Sequence, residues 1–381
     1  MTIGESAVHL RTIPGPADIE RARTLPAAWY SDPTFFVDEL ERVFRHGWVC
    51  AGVVDELPAP GAWSARTVGG VPVLVVRDRD DELRAFLNVC RHRASPLCDD
   101  VGSGSLIRCP YHSWLYRLDG SLARAAGVGE PEGFDVADFG LQPVGISQWR
   151  NVVFVNVGDA NAALDLGPLA TSVAACPIES MRPAFSESNE RKFNWKVLLE
   201  NYSENYHTPF IHPEIDTSSS EDYPMISAGP VLYAWDRKLA PSDAVDEVVR
   251  ATLVPGEPGW ERVFAADTDR PYDVGSYLTI WPNAMINLFP DAVLVMWMEP
   301  KGPNTTRVER RLYVAPNKTA EATAAIVAAH RLVHDQDVRI SEAVQRSHNA
   351  GVDARGVLAT VEERGVFFVH QHLRQAMAER T

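Results

Sequence analysis

The sequence predicts an α+β chain in which a small all-β domain, residues 45–160, is inserted near the start of a larger domain made of an antiparallel sheet and long helices. Three observations predict it. Strand-sized runs of Val, Ile and aromatics, separated by turn dipeptides, follow one another after Trp48. Four more such runs lie between Tyr277 and Val314. Two long helical patterns, Thr319 to Ser347 and Arg364 to Met377, close the chain. A length of 381 residues suits two domains with real cores, at about 150 residues per domain.

Taken in order, residues 1–44 form an N-terminal segment whose Trp29, Phe35, Phe36, Leu40 and Phe44 fall at amphipathic helical spacing, with Asp32-Pro33 as a start signal. Val71 to Arg77, Leu83 to Val89, Ser113 to Leu118 and Asn151 to Val157 read as strands, punctuated by Gly69-Gly70, the charged run Asp78 to Glu82, and Asp119-Gly120. The larger domain, 161–381, begins with a mixed connector to about residue 192. Phe193 to Tyr206 then reads as a helix, because Trp195, Leu198, Leu199 and Tyr202 recur at three and four. Tyr277 to Ile280, Met285 to Phe289, Val293 to Met298 and Arg307 to Val314 read as an antiparallel meander.

Composition excludes several classes. Hydrophobic residues at 45% and charged residues at 23% match an ordinary globular protein. No apolar run approaches the roughly 20 residues that span a bilayer. Without such a run no membrane is expected as a partner, and a net charge of −15, which repels phosphate backbones, argues against nucleic acid. The N-terminal residues lack a signal-peptide pattern, which points to the cytoplasm. There, five cysteines argue for metal ligation and buried thiols and not for disulfides.

Two constellations carry chemistry. Cys90-Arg91-His92 and Cys109-Pro110-Tyr111-His112 each offer one thiolate and one imidazole on a loop of the β domain. A two-iron, two-sulfur cluster that takes two sulfurs on one iron and two nitrogens on the other needs this set. Zinc is the alternative occupant, although its fingers pair Cys with Cys and His with His, and each pair here is mixed. In the second constellation Glu200, Glu204 and His207 stand at i, i+4 and i+7, one stripe if the helix continues. Pro209 is then expected to interrupt that helix and swing His212 back toward His207. Two histidines and a distant carboxylate make the facial triad of a non-haem iron oxygenase, with open positions for oxygen.

The run C-R-H-R-A-S-P-L-C followed by C-P-Y-H-S-W, and the pattern E-N-Y-x-E-x-Y-H-x-x-x-x-H, resemble the Rieske non-haem iron oxygenases, catalytic α subunit. Ala94 and Ser113 stand where that family commonly has Gly, and Cys98 has no disulfide partner. The resemblance implies a Rieske [2Fe-2S] domain, ligated by Cys90, His92, Cys109 and His112, inserted in a helix-grip catalytic domain. It also implies a mononuclear Fe(II) at His207, His212 and Asp337, with Asp335 as the fallback within His334-Asp335-Gln336-Asp337, and O2 as co-substrate. Glu204, with Asn201 in the same motif, enters as the carboxylate that would bridge His207 to His112 of a neighbouring subunit. A homotrimer and a flavin/[2Fe-2S] reductase or a ferredoxin as electron donor are implied too. The closing E-E-R-G-V-F-F-V-H-Q-H-L is similar to the family's ending, and His370 and His372 are read there as core or surface residues.

Glu at position 204, where aromatic-ring dioxygenases mostly carry Asp, is similar to the branch acting on choline, glycine betaine and carnitine. That implies monooxygenation of a carbon next to nitrogen, with demethylation of a small quaternary ammonium substrate. Aromatic-ring hydroxylation is the alternative, and a cluster-bearing electron carrier or zinc-stabilised module is the reading of another class. Aromatic faces bind such cations, and Tyr202, Tyr206, Phe210, Tyr233 and Trp235, with Trp281, Phe289 and Trp297, are the candidates. Arg84, Arg91, Arg93, Arg108, Arg117 and Arg124, against Asp99, Asp100 and Asp119, make the cluster domain locally positive, which suits docking of an acidic electron donor; the alternative is that they solvate the small β domain or pack against a neighbouring subunit.

Overall fold

Continuous and alternating apolar runs become strands where their spacing places them. The computed structural model describes residues 19–129, 131–167, 170, 178–215, 225–235, 276–289, 291–352 and 355–378. Its contacts divide into two units, Leu40–Leu164 and the chain on either side of that insertion. The divide differs by a few residues from the expected 44/45 and 160/161. At one end Arg45 Nε donates to Gly69 O at 2.6 Å, and at the other Trp48 Nε1 donates to Ala163 O at 3.0 Å, so both flanks belong to the inserted unit.

The inserted unit holds β1 (Val49–Val53), β2 (Ala62–Val68), β3 (Val71–Arg77), β4 (Leu83–Leu87), β5 (Gly102–Ser103), β6 (Ile107–Arg108), β7 (Leu115–Tyr116), β8 (Leu122–Arg124), β9 (Pro143–Trp149) and β10 (Val152–Asn156). One sheet runs β1-β10-β9-β4-β3-β2-β5 and a smaller one β6-β7-β8. Leu74, Val76, Phe86, Ile107, Trp114 and Tyr116 form a core that also takes in Cys90 and Cys109. The strand expected over Ser113 to Leu118 shrinks to Leu115–Tyr116, because Ser113 adopts a positive φ of 59° and closes a loop.

In the other unit the short helix α1 (Ala28–Ser31) precedes α2 (Pro33–Glu39), and α2 begins at the expected start signal, with Asp32 Oδ1 accepting from Thr34 N at 2.7 Å and Phe35 N at 3.2 Å. A seven-stranded antiparallel sheet runs β11-β17-β16-β15-β14-β13-β12 among the described residues. Its strands are β11 (Arg182–Arg191), β12 (Met225–Ala228), β13 (Val231–Trp235), β14 (Ser276–Ile280), β15 (Ala284–Phe289), β16 (Ala292–Gly302) and β17 (Thr305–Val314). The last four match the expected meander. β11 lies inside the span expected as a connector: it is an edge strand whose polar sequence gives no period-2 signal, and it pairs with β17 along its whole length.

Among the described residues four α-helices follow: α3 (Trp195–Tyr202), α4 (Thr208–Ile211), α5 (Ala320–Asn349) and α6 (Arg364–Ala378). Asn194 caps α3 and Thr319 caps α5, each side chain accepting a backbone N–H of the first turn. Buried Lys196 Nζ lies 2.5 Å from Glu39 Oε1 and fastens α3 to α2, while Gln345 of α5 donates to Tyr30 O at 3.0 Å. α3 ends four residues earlier than its apolar spacing suggests. Gly365 explains the stop: a Cβ there would come within 1.8 Å of Ser203 O, so the start of α6 abuts the chain where α3 finishes. No helix among the described residues is long and apolar enough to cross a membrane.

Candidate metal centres

The two loops of the first constellation are built alike. Cys90 N donates to Ser95 O at 2.8 Å and Ala94 N to Cys90 O at 3.0 Å; Cys109 N donates to Trp114 O at 2.8 Å and Ser113 N to Cys109 O at 3.1 Å. Each loop turns back at a left-handed residue, Ala94 at φ 55° and Ser113 at φ 59°, the two positions where the family favours Gly. Asn88 fixes the first loop from behind, accepting from the N–H groups of Leu97 and Cys98 at 3.1 Å. Arg108 fixes the second through Ser113 Oγ at 2.7 Å.

Both thiols are buried, and the Tyr116 hydroxyl sits 3.3 Å from Cys90 Sγ while accepting Arg91 N at 3.0 Å. His92 and His112 face each other with ring centroids 4.6 Å apart, His92 being exposed and stacked on Trp114. His112 Nδ1 is buried with no hydrogen-bond partner. Burial and the His92 and Arg93 beside it hold His112 below its ordinary pKa. Both effects favour the neutral imidazole, the form in which a histidine ligates a metal. Cys98 is a free thiol beside the loop, pushed up to about 11 by burial and by Asp99.

The second constellation corrects two local expectations. Glu200, Glu204 and His207 do not share a helical stripe, because α3 ends at Tyr202. Pro209 does not interrupt a helix; it lies in the first turn of α4, where a missing N–H costs nothing. This single turn, with His207 before it and His212 after it, brings the two rings to a centroid distance of 5.3 Å. From α5, 125 or more residues downstream, Asp337 Oδ1 reaches within 3.4 Å of His207 Nε2 and 3.0 Å of His212 Nε2. Asp335 turns outward and lies 4.0 Å from Arg191 Nη2.

Each histidine is held from behind. Glu204 Oε1 bonds to His207 Nδ1, and Glu204 Oε2 accepts His207 N at 3.1 Å. Gln336 Oε1 lies 2.6 Å from His212 Nδ1, and Gln336 Nε2 donates to Glu214 Oε2 at 3.2 Å. Burial disfavours charge on His207, yet the Asp337 and Glu204 carboxylates outweigh it and lift this residue to about 9. Asp337 is held below the usual carboxylate range by the two imidazoles despite its burial. His334, one turn before Asp337 on α5, is pushed down to about 3 by burial and by the charges of Arg310 and Arg191.

The residues fit the groups. Among the described residues, His207, His212 and Asp337 are the set of three whose ligand atoms all lie within 4.8 Å of one another, and Asp337 Oδ1 is buried without a well-formed hydrogen bond. Two imidazole nitrogens and one carboxylate are the donor set for non-haem iron. Cys90, His92, Cys109 and His112 do not converge on one such point. One zinc with bonds of about 2.0–2.3 Å would draw its ligand atoms that close, whereas ligands shared between two irons stay wider.

The remaining candidates separate by burial. Tyr233 is 1% exposed with its hydroxyl on Ser276 Oγ at 3.0 Å, and Trp297 is 2% exposed with its face covered by Arg311. Trp281 packs on Trp195 and His372, and Phe289 on Tyr277 and His330. Tyr202 donates to Asn287 Oδ1, while Tyr206 and Phe210, beside His207 in sequence, are 53% and 76% exposed. The Trp235 side chain lies outside the described residues. Asn201 is half-buried on α3, and His370 is a core residue whose Nε2 meets Glu200 Oε1 at 3.2 Å. Sequence reading missed Tyr116, Gln336 and Glu214, whose contacts span 26 to 124 residues and leave no local pattern.

Comparison with known proteins accords with this geometry. The Rieske [2Fe-2S] domain family matches residues 47–135, and the ring hydroxylating alpha subunit (catalytic domain) family matches residues 178–379. The glycine betaine monooxygenase oxygenase subunit of Chromohalobacter salexigens is 31% identical over 78% of this chain and 73% of its own length. Choline monooxygenase of Spinacia oleracea is 28% identical over 94% of this chain and 79% of its own. A crystal structure of the quaternary ammonium Rieske monooxygenase CntA superposes with a TM-score of 0.79 at 25% identity, covering 95% of this chain and 97% of that one. Members of this family carry a [2Fe-2S] cluster and a mononuclear iron, use O2, act on small molecules and depend on a reductase. This chain belongs to the ring-hydroxylating alpha-subunit family and is the catalytic subunit of a Rieske non-haem iron monooxygenase.

Proposed function

We propose that the enzyme hydroxylates a carbon next to nitrogen in a small trimethylammonium compound that also bears a polar group, so that the hydroxylated product collapses to an aldehyde and a demethylated amine. The observation that carries this reading is a mixed Cys/His cluster domain and a His-His-Asp site in one chain, together with similarity along most of its length to choline and glycine betaine monooxygenases. Glu204 accords with it as the longer of the two carboxylates that the family uses at this position.

In this assignment Cys90, His92, Cys109 and His112 hold the cluster, and His207, His212 and Asp337 hold the iron. When bound, the cluster supplies single electrons and the iron supplies the open face at which oxygen and substrate meet. The protein's own contribution is positional. Glu204 fixes His207 through both its ring and its backbone, leaving Nε2 toward Asp337. In the homotrimer we assign, that carboxylate is also the contact for His112 of a neighbouring subunit. Tyr202, Tyr206 and Phe210 are the aromatic faces we assign to the substrate's cationic end, each contributing on the order of 0.5–2 kcal/mol. A flavin/[2Fe-2S] reductase or a ferredoxin delivers the electrons, docking where exposed Arg91 and Arg93 flank His92.

The test is a substrate panel with a compatible reductase, following O2 consumption, aldehyde release and amine product together. Glycine betaine, choline and carnitine are set against naphthalene and benzoate. Stoichiometric aldehyde and demethylated amine from a betaine is the expected result. Coupled hydroxylation of an arene, with betaines inert, would replace this reading by the ring-hydroxylating one.

A further inference from the structure

Gln336 and Asp337 are consecutive residues of α5, and each reaches a different nitrogen of the same ring. Asp337 Oδ1 lies 3.0 Å from His212 Nε2, and Gln336 Oε1 lies 2.6 Å from His212 Nδ1. The amide is itself oriented, because its Nε2 donates to Glu214 Oε2 at 3.2 Å. An ionised carboxylate only accepts hydrogen bonds, so Glu214 admits the nitrogen end of the amide and refuses the oxygen end. The oxygen end is left facing His212, and it too only accepts. Nδ1 of His212 therefore carries the hydrogen, and the lone pair of the neutral ring is at Nε2, toward Asp337.

We propose that Glu214 and Gln336 form a relay that fixes the metal-binding tautomer of His212, making Gln336 a positioning residue and Glu214 the group that prevents its amide from flipping. The proposal rests on the reading of His212 as an iron ligand. It divides labour between the two histidines: His207 has a carboxylate directly on Nδ1, whereas His212 has a neutral amide with the carboxylate one step further out. A carboxylate raises the basicity of the ring it holds and an amide does so far less. His212 is 2% exposed, so no bulk water stands in for Gln336 if that contact is lost. With Glu214 removed the amide is free to turn its NH2 toward Nδ1, which favours the tautomer whose Nε2 has no lone pair to give.

The experiment titrates Fe(II) anaerobically into cluster-loaded protein whose mononuclear iron has been removed by chelation, with thermal unfolding of each variant followed in parallel. Gln336→Leu is expected to bind Fe(II) about 10- to 100-fold more weakly than the parent, the usual effect of losing an outer partner of a metal histidine. Gln336→Glu keeps an acceptor on Nδ1 and is expected to bind better than Gln336→Leu, even though it sets a second carboxylate beside Glu214. A packing role predicts the reverse order. Glu214→Gln, an exposed change that leaves the core intact, is expected to weaken binding by a smaller factor. His212→Ala is the reference. If it loses Fe(II) while Gln336→Leu and Glu214→Gln bind as the parent does, or if Gln336→Glu binds no better than Gln336→Leu, the relay is wrong. If His212→Ala itself retains parental affinity, the ligand assignment fails instead.

Discussion

At Glu204 one side chain grips His207 by both ring and backbone, one carboxylate oxygen on each. Replacing it with Gln preserves shape but removes the charge and one of the two acceptor oxygens that hold His207. Glu204→Gln is expected to lower substrate-coupled turnover by about 10- to 100-fold, the range for losing an outer-shell carboxylate. Reduction of the cluster by the donor should be unchanged. Parallel steady-state and stopped-flow measurements check this, and parental turnover in the variant would remove Glu204 from its assigned role. The residues most legible from sequence were those whose type and spacing are themselves chemical statements: two Cys-His pairs on loops, and His207 with His212. Asp337 could be selected over Asp335 only through resemblance, because a D-x-D on a helix leaves open which carboxylate faces inward. Gln336 was not legible at all. Its partners lie 122 and 124 residues away, and a lone amide on a helix has no characteristic pattern.

Among the elements, the join between α3 and α6 sets the geometry of the metal loop. The chain leaves α3 at Ser203, against Gly365, and the next residue is Glu204. Gly365→Ala places a Cβ against a backbone oxygen that no side-chain rotation can relieve. It is expected to cost about 1–3 kcal/mol, read as a lower Tm, with turnover falling as Ser203 and Glu204 shift. An unchanged Tm would mean that this contact does not end the helix. The same contact explains why apolar spacing overran the helix: period alone cannot register a neighbour 162 residues away that stops it. Strands β14 to β16 were legible because they are largely apolar, and β17 because Val308, Leu312, Tyr313 and Val314 stand among its charged residues. β11 was not, because an edge strand is polar by need. Pro209 was misread because the same ring that breaks a helix interior is welcome in a first turn.

For the molecule as a whole, a net charge of −15 and a positive cluster loop pull in opposite directions. Several of the arginines are already engaged: Arg84 with Asp78 at 2.5 Å, Arg108 with Ser113, and Arg117 with Ser121. Arg91 and Arg93 stay exposed beside His92, with Arg93 lying 5.4 Å over the Tyr111 ring. Arg91→Glu with Arg93→Glu is expected to slow cluster reduction by an acidic donor at low salt and to flatten its salt dependence. Equal rates across ionic strength would place the donor elsewhere. The two-unit organisation was legible from the change of pattern near Trp48, while the few residues at each seam were not, since they are assigned by single long-range hydrogen bonds.

The claim on which all of this depends is that one chain holds two distinct metal sets, and it is tested most directly by counting them. Iron, zinc and acid-labile sulfide are measured on anaerobically purified, fully loaded protein. The account predicts about three irons and two sulfides per chain with negligible zinc. Two irons with two sulfides, or zinc in place of either set, would contradict it.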